Sequence, residues 1–148
     1  MRRLSADAFY WIALLHVGDQ WHQRVIAFAE TLSDHHLYTT DAVFDEYLAA
    51  DSARGSYLRQ RAAATVRRLL ASPEVTVTHQ ARELFLEGLT LYEARPDKEY
   101  SLTDCISMQA MRREGLTEVL TNDHHFTQEG SHILFPYSPV RLLGVFRP

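Results

Sequence analysis

Residues 101–126 read SLTDCISMQAMRREGLTEVLTNDHHF, and their order decides the fold. Ser101-Leu-Thr-Asp104 opens a helix with a capping-box-like pattern, and Leu102, Cys105, Ile106, Gln109 and Ala110 continue it at helical spacing. Glu118-Val-Leu120 then makes a short strand, and Asn122-Asp123-His124-His125-Phe126 makes the turn after it. A capped helix that feeds a brief apolar strand ending in a polar turn is the repeating half of a parallel α/β layer.

The same alternation extends toward both ends. Upstream, strands are expected at about Arg3 to Ala6, at Leu37-Tyr-Thr39 and at Val75-Thr-Val77. Between them lie a helix carrying Phe9, Ile12 and Ala13, and one capped by Asp19 with Trp21, Val25, Phe28, Ala29 and Leu32 at helical spacing. A third, capped by Asp41, has Val43, Phe44, Tyr47 and Leu48 as its apolar stripe. A fourth runs from about Ser56 to Ala71 and buries Ala62, Val66, Leu69 and Leu70. A fifth runs from about His79 to Glu93 and packs through Leu84, Phe85, Leu89 and Tyr92. Downstream, Ser131 to Phe135 reads as an edge strand, and the tail Val140 to Phe146 is apolar enough to pack. The expected architecture is α/β: three layers, with a central, mainly parallel sheet of four to five strands flanked by helices, in one domain over residues 1–148.

Composition narrows the function. No stretch approaches the roughly 20 apolar residues of a membrane span, and the single cysteine, Cys105, builds neither an internal disulfide nor a cysteine-rich zinc site. A soluble, cytoplasmic protein is expected. Cys105 sits in an apolar helical stripe, which makes it a structural residue rather than a thiol nucleophile. The net charge of −4, from 15 basic and 19 acidic residues, is not that of a protein binding nucleic acid through bulk charge. Without the acids Asp7, Glu46, Asp104 and Asp123 the tally is 15 against 15, and two divalent cations would offset those four charges.

Those acids carry the chemistry. In an open parallel sheet, ligands bind outside the carboxyl ends of the strands. Asp7 ends the first strand, Asp123 follows the fourth, Glu46 lies soon after the second, and Asp104 begins a helix that can point at the same crevice. Taken singly, Asp7, Asp104 and Asp123 also fit helix caps and Glu46 a solvated helix position. Together they make a rim of hard oxygen donors suited to magnesium or manganese, with Lys98 the only lysine in the chain. Asp41 and Asp45 flank Glu46 and are alternatives to it. His124 and His125 either assist at the rim, where neutral imidazole can shuttle protons, or solvate the loop, and Arg59, Arg61, Arg67 and Arg68 either contact phosphates or solvate a helix face. A phospho-accepting receiver domain is excluded, because no acidic pair follows the first strand and no acid follows the third. An aspartyl-nucleophile phosphatase is excluded by Phe9, which stands where a second acid is needed.

These segments resemble the PIN-domain ribonucleases, and within them the VapC-like toxins of toxin–antitoxin pairs. Asp97 to Ser107, Gly115 to Leu120, and Thr121 to Phe126 with Gly130 are similar to the family's third and fourth acidic motifs. Ser5-Ala-Asp-Ala-Phe-Tyr-Trp-Ile-Ala-Leu14 is similar to the first, and Thr39-Thr40 through Glu46-Tyr47-Leu48 to the second. Phe9 and Tyr10 depart from the small polar residue common after the first acid, and the turn at Asn122 to His125 is a variant of the fourth motif. The resemblance implies an Mg²⁺- or Mn²⁺-dependent endoribonuclease with Asp7, Glu46, Asp104 and Asp123 as its catalytic acids. It further implies Asp7, Asp104 and Asp123 as ligands of one or two ions, and Thr121 and Ser101 as supporting residues. An RNA substrate, a small antitoxin that blocks the site and a homodimer are the implied partners. A non-cleaving binding module and a free-standing PIN nuclease are the alternatives.

Overall fold

The computed structural model describes residues 1–136; the apolar tail from Val140 lies outside the described residues. Five strands form one all-parallel sheet: β1 (Arg2–Ala6), β2 (His35–Thr40), β3 (Val75–Thr78), β4 (Glu118–Leu120) and β5 (His132–Ile133). Their spatial order is β3-β2-β1-β4-β5. The chain therefore builds outward from β1 to β3, then returns to the opposite side of β1 for β4. This reversal opens a crevice at the carboxyl ends of β1 and β4.

The helices are α1 (Ala8–Leu15), α2 (His22–Thr31), α3 (Asp41–Asp51), α4 (Ser56–Ala71), α5 (Arg82–Ala94), α6 (Leu102–Glu114) and the short α7 (His125–Gln128). One core cluster gathers Leu4, Ala6, Trp11, Val25, Val43, Phe44 and Tyr47, joining the sheet to α1, α2 and α3. A second joins α5 and α6 to the sheet through Leu91, Cys105, Met108 and Val119, and a third joins α5 and α6 to α3 through Leu84, Ile106, Ala110 and Ala42. The result is the expected sheet between helical layers. No helix among the described residues is long and apolar enough to cross a membrane.

Several local expectations are corrected. Asp19 does not cap α2; its carboxylate accepts from Trp21 N in the preceding turn, and Trp21 stands just before the helix. Thr40, not Asp41, caps α3, its hydroxyl accepting from Val43 N. Asp41 instead accepts from Gln80 N, which ties down the segment before α5 and delays that helix to Arg82. Leu70 is 54% exposed and Tyr92 51% exposed, while Leu91 is buried. The fifth strand is only His132–Ile133, pairing parallel to β4. At the other end of α1, His16 Nε2 lies 2.9 Å from buried Asp51 Oδ1 and fastens α1 to the last turn of α3.

Candidate active site

The crevice is built from the ends of β1 and β4. Ala6 is the last residue of β1, and Thr39 Oγ1 on the neighbouring strand donates to its carbonyl at 2.9 Å, fixing where the chain leaves the sheet. Asp7 follows and is only 7% exposed. It occupies the N-cap position of α1, yet its side chain caps no helix N–H. Instead its Oδ2 accepts a 2.9 Å hydrogen bond from the fully buried Thr121 hydroxyl just after β4. Thr121 Oγ1 in turn accepts from Asp123 N at 3.2 Å, so one hydroxyl sets the spacing of two acids.

Asp104 enters from the first turn of α6. A reciprocal capping box holds it: Asp104 N donates to Ser101 Oγ and Ser101 N donates to Asp104 Oδ2, both at 3.0 Å. It is therefore both a helix cap and a member of the crevice, roles the sequence presents as alternatives. Glu46 reaches in from α3. A cleft of about 540 Å³ is lined by Asp7, Glu46, Ser101, Asp104, Asp123 and His125, with Ala8, Phe9 and Ile12 as an apolar wall. Neither Asp41 nor Asp45 lines it. Of the three candidate acids on α3, the structure brings Glu46 to the others.

Mutual repulsion and burial are written into these groups. Asp7 is pushed up to about 7, first by burial, then by the charge of Asp104, against the Thr121 hydrogen bond, with Glu46 adding to the rise. Asp104 is raised by burial, opposed by its bonds to Ser101, and raised further by Asp123. Glu46 is raised by burial, then by Asp104 and Asp123. No lysine or arginine lines the cleft. Asp7 Oδ1 is buried with no hydrogen-bond partner. An unpartnered buried carboxylate oxygen among like charges costs free energy that a divalent cation recovers. The donor set of carboxylate oxygens thus fits a hard ion such as magnesium or manganese.

Two further candidates lie apart from the carboxylate cleft. Cys105 is buried and its thiol is pushed up to about 11, by burial first and then by Asp104, so it offers no thiolate. The α4 arginines Arg59, Arg61, Arg67 and Arg68 are exposed, and none lines the acidic cleft. Of the two positions open to His125, rim or solvated loop, the structure gives the rim: it lines the cleft, with Nδ1 3.2 Å from Asp123 Oδ1 and 3.8 Å from Asp104 Oδ2. The available signal was the Asp-x-His spacing: Asp123 Oδ1 accepts from His125 N at 2.9 Å, an Asx-type turn that folds the imidazole back over the acid.

No protein-family model and no curated protein matches the chain. Solved structures do. The chain is similar to the Mycobacterium tuberculosis toxin VapC20, described as cleaving the sarcin–ricin loop, with 24% identity, a TM-score of 0.79, and 90% of this chain and 99% of that one covered. It is similar to FitAcB from Neisseria gonorrhoeae at 15% identity and a TM-score of 0.61, covering 90% of this chain and 97% of that one. Rickettsia felis VapBC2, bound to a DNA fragment from its promoter, matches at 10% identity and a TM-score of 0.59, covering 89% and 97%. At such identities the shared property is the architecture: over about 90% of its length this chain has the fold of VapC20, a three-layer PIN-like α/β fold.

Proposed function

We propose that the protein is a metal-dependent endoribonuclease and the toxin of a toxin–antitoxin pair. The observation that carries this reading is the convergence of Asp7, Glu46, Asp104 and Asp123 on one cleft at the reversal point of the sheet, with Asp7 Oδ1 buried and unpartnered. The likeness in fold to a sarcin–ricin loop cleaving toxin supports RNA as the substrate class. Fold neighbours solved as FitAcB and VapBC2 support a small antitoxin as partner. A homodimer accompanies this reading.

Magnesium or manganese, when bound, supplies positive charge against the phosphate and lowers the pKa of the attacking water. Asp7 and Asp104 would hold the ion, with Asp123 as a further ligand. Thr121 keeps Asp7 and Asp123 in register, and Ser101 keeps Asp104 turned toward the cleft. Glu46, whose proton affinity is raised by burial and by its acidic neighbours, orients the attacking water and takes its proton. The apolar wall of Ala8, Phe9 and Ile12 limits competing water on one side.

Incubating the purified chain with RNA tests this directly. Cleavage with magnesium or manganese that stops on chelation is the expected result, and Asp104→Asn should lower the rate by about a hundredfold or more without unfolding the protein. Cutting that continues undiminished in chelator would overturn the metal mechanism. Tight RNA binding with no cutting under any divalent ion would favour a non-cleaving module.

A further inference from the structure

His125 stands apart from the four acids in its chemistry, since it brings a nitrogen to a set of oxygens. Its Nδ1 is buried and makes no hydrogen bond, although Asp123 Oδ1 is only 3.2 Å away and Asp104 Oδ2 3.8 Å away. This ring nitrogen stands at ion-pair distance from two carboxylates with no hydrogen bond aligned to either, and the same spacing suits shared coordination of a cation. With metal–ligand bonds of about 2.1 Å, neighbouring donors of an octahedral ion stand about 3 Å apart.

The ring is also held in place. Tyr100 meets it edge to face, with ring centroids 5.3 Å apart. The Tyr100 hydroxyl donates to Glu129 at 3.1 Å, and Glu129 is gripped by Arg95 at 2.8 Å and Arg112 at 3.0 Å. Asp123, His124 and His125 each bring a ligand atom within 4.8 Å of the others. Asp7, 7% exposed with Oδ1 unpartnered, marks the same cleft as the place where a cation is wanted.

We propose that His125 Nδ1 is a nitrogen donor to the divalent cation of this cleft, beside Asp123 and Asp104, and that it biases the site toward manganese over magnesium. This rests on the metal-dependent reading above. Magnesium favours an all-oxygen shell, whereas imidazole suits transition ions. A nitrogen ligand in an otherwise carboxylate site therefore selects among ions that the acids alone would treat alike.

Electron spin-echo envelope modulation of the full chain loaded with Mn²⁺ reads nitrogen ligation without reference to activity. The parent should show imidazole nitrogen coupling, and His124→Asn should keep it. His125→Asn should abolish the coupling, because it offers an amide oxygen in place of the ring nitrogen. Removing groups that merely support a metal costs about 10–100-fold in affinity, so loss of this donor should weaken Mn²⁺ binding at least about tenfold. Mg²⁺ affinity, measured by competition, should change by no more than about twofold. Bound Mn²⁺ without nitrogen coupling in the parent, or coupling that survives in His125→Asn, would overturn the proposal while leaving the carboxylate site standing. Absence of Mn²⁺ binding in the parent would overturn both.

Discussion

Asp7 shows how one residue couples stability to chemistry. In the metal-free protein it holds its proton up to about pH 7, against an ordinary value of 3.8, because it is buried beside Asp104. Between those values the folded chain binds a proton that the unfolded chain has released. Stability therefore falls as pH rises through this window and levels off above it. Asp7→Asn keeps a carbonyl oxygen for the Thr121 hydroxyl but carries no charge. Urea unfolding in chelator at pH 5 and pH 8 should show the parent losing stability and Asp7→Asn losing much less. Equal losses would mean that the strain resides in another group. The acid itself was legible as the residue that ends β1. Its partner Thr121 was legible only as a supporting residue, since no local pattern shows that its hydroxyl reaches across 114 positions.

Helix α5 shows what sequence periodicity hides at the scale of an element. Its buried face is Leu84, Gly88 and Leu91, spaced as neighbours on one side of a helix. A glycine in that stripe has no side chain to register as apolar, so the face reads instead as Leu84, Phe85, Leu89 and Tyr92, and Tyr92 comes out exposed. The glycine is there because α6 lies against it. A Cβ at Gly88 would meet Ile106 Cγ1 at 2.6 Å and the Ile106 backbone at 3.2 and 3.3 Å. Gly88→Ala should thus destabilise the protein by about 1–3 kcal/mol through overpacking, although alanine is the better helix former by about 1 kcal/mol. A thermal melt checks this, and a Tm raised by the alanine would show that α6 can move away. By contrast, α4 was legible at both ends, because Gly55 before it and Ser72-Pro73 after it are strong stop signals. On α3 the choice among Asp41, Asp45 and Glu46 was not legible, because adjacent helical positions differ by about 100° and only packing fixes which one faces the cleft.

For the whole molecule, strand order does what no single motif can. β1 and β4 are far apart in sequence yet adjacent in the sheet, and their carboxyl ends put Asp7 beside Thr121 and Asp123 at the point where the winding reverses. The alternation of strands and helices made the layered sheet legible, and strand-end acids made its crevice legible, but the gathering of charge needed the topology. On the proposed metal site, that gathering should couple stability to divalent cation. A cation that binds only the folded form adds RT ln(1 + [L]/Kd), about 2.7 kcal/mol at a hundredfold excess over Kd. For a chain of this size that corresponds to a rise in Tm of roughly 5–10 °C. Asp104→Asn separates the charge from the cap, because its amide oxygen still accepts from Ser101 N while the repulsion on Asp7 and Glu46 is relieved. Near neutral pH without metal, this variant should melt no lower than the parent. With manganese added, the parent should gain the full shift and the variant much less. Equal shifts in the two proteins would show that Asp104 does not hold the ion, and a variant that melts lower without metal would show that its cap outweighs the repulsion it creates.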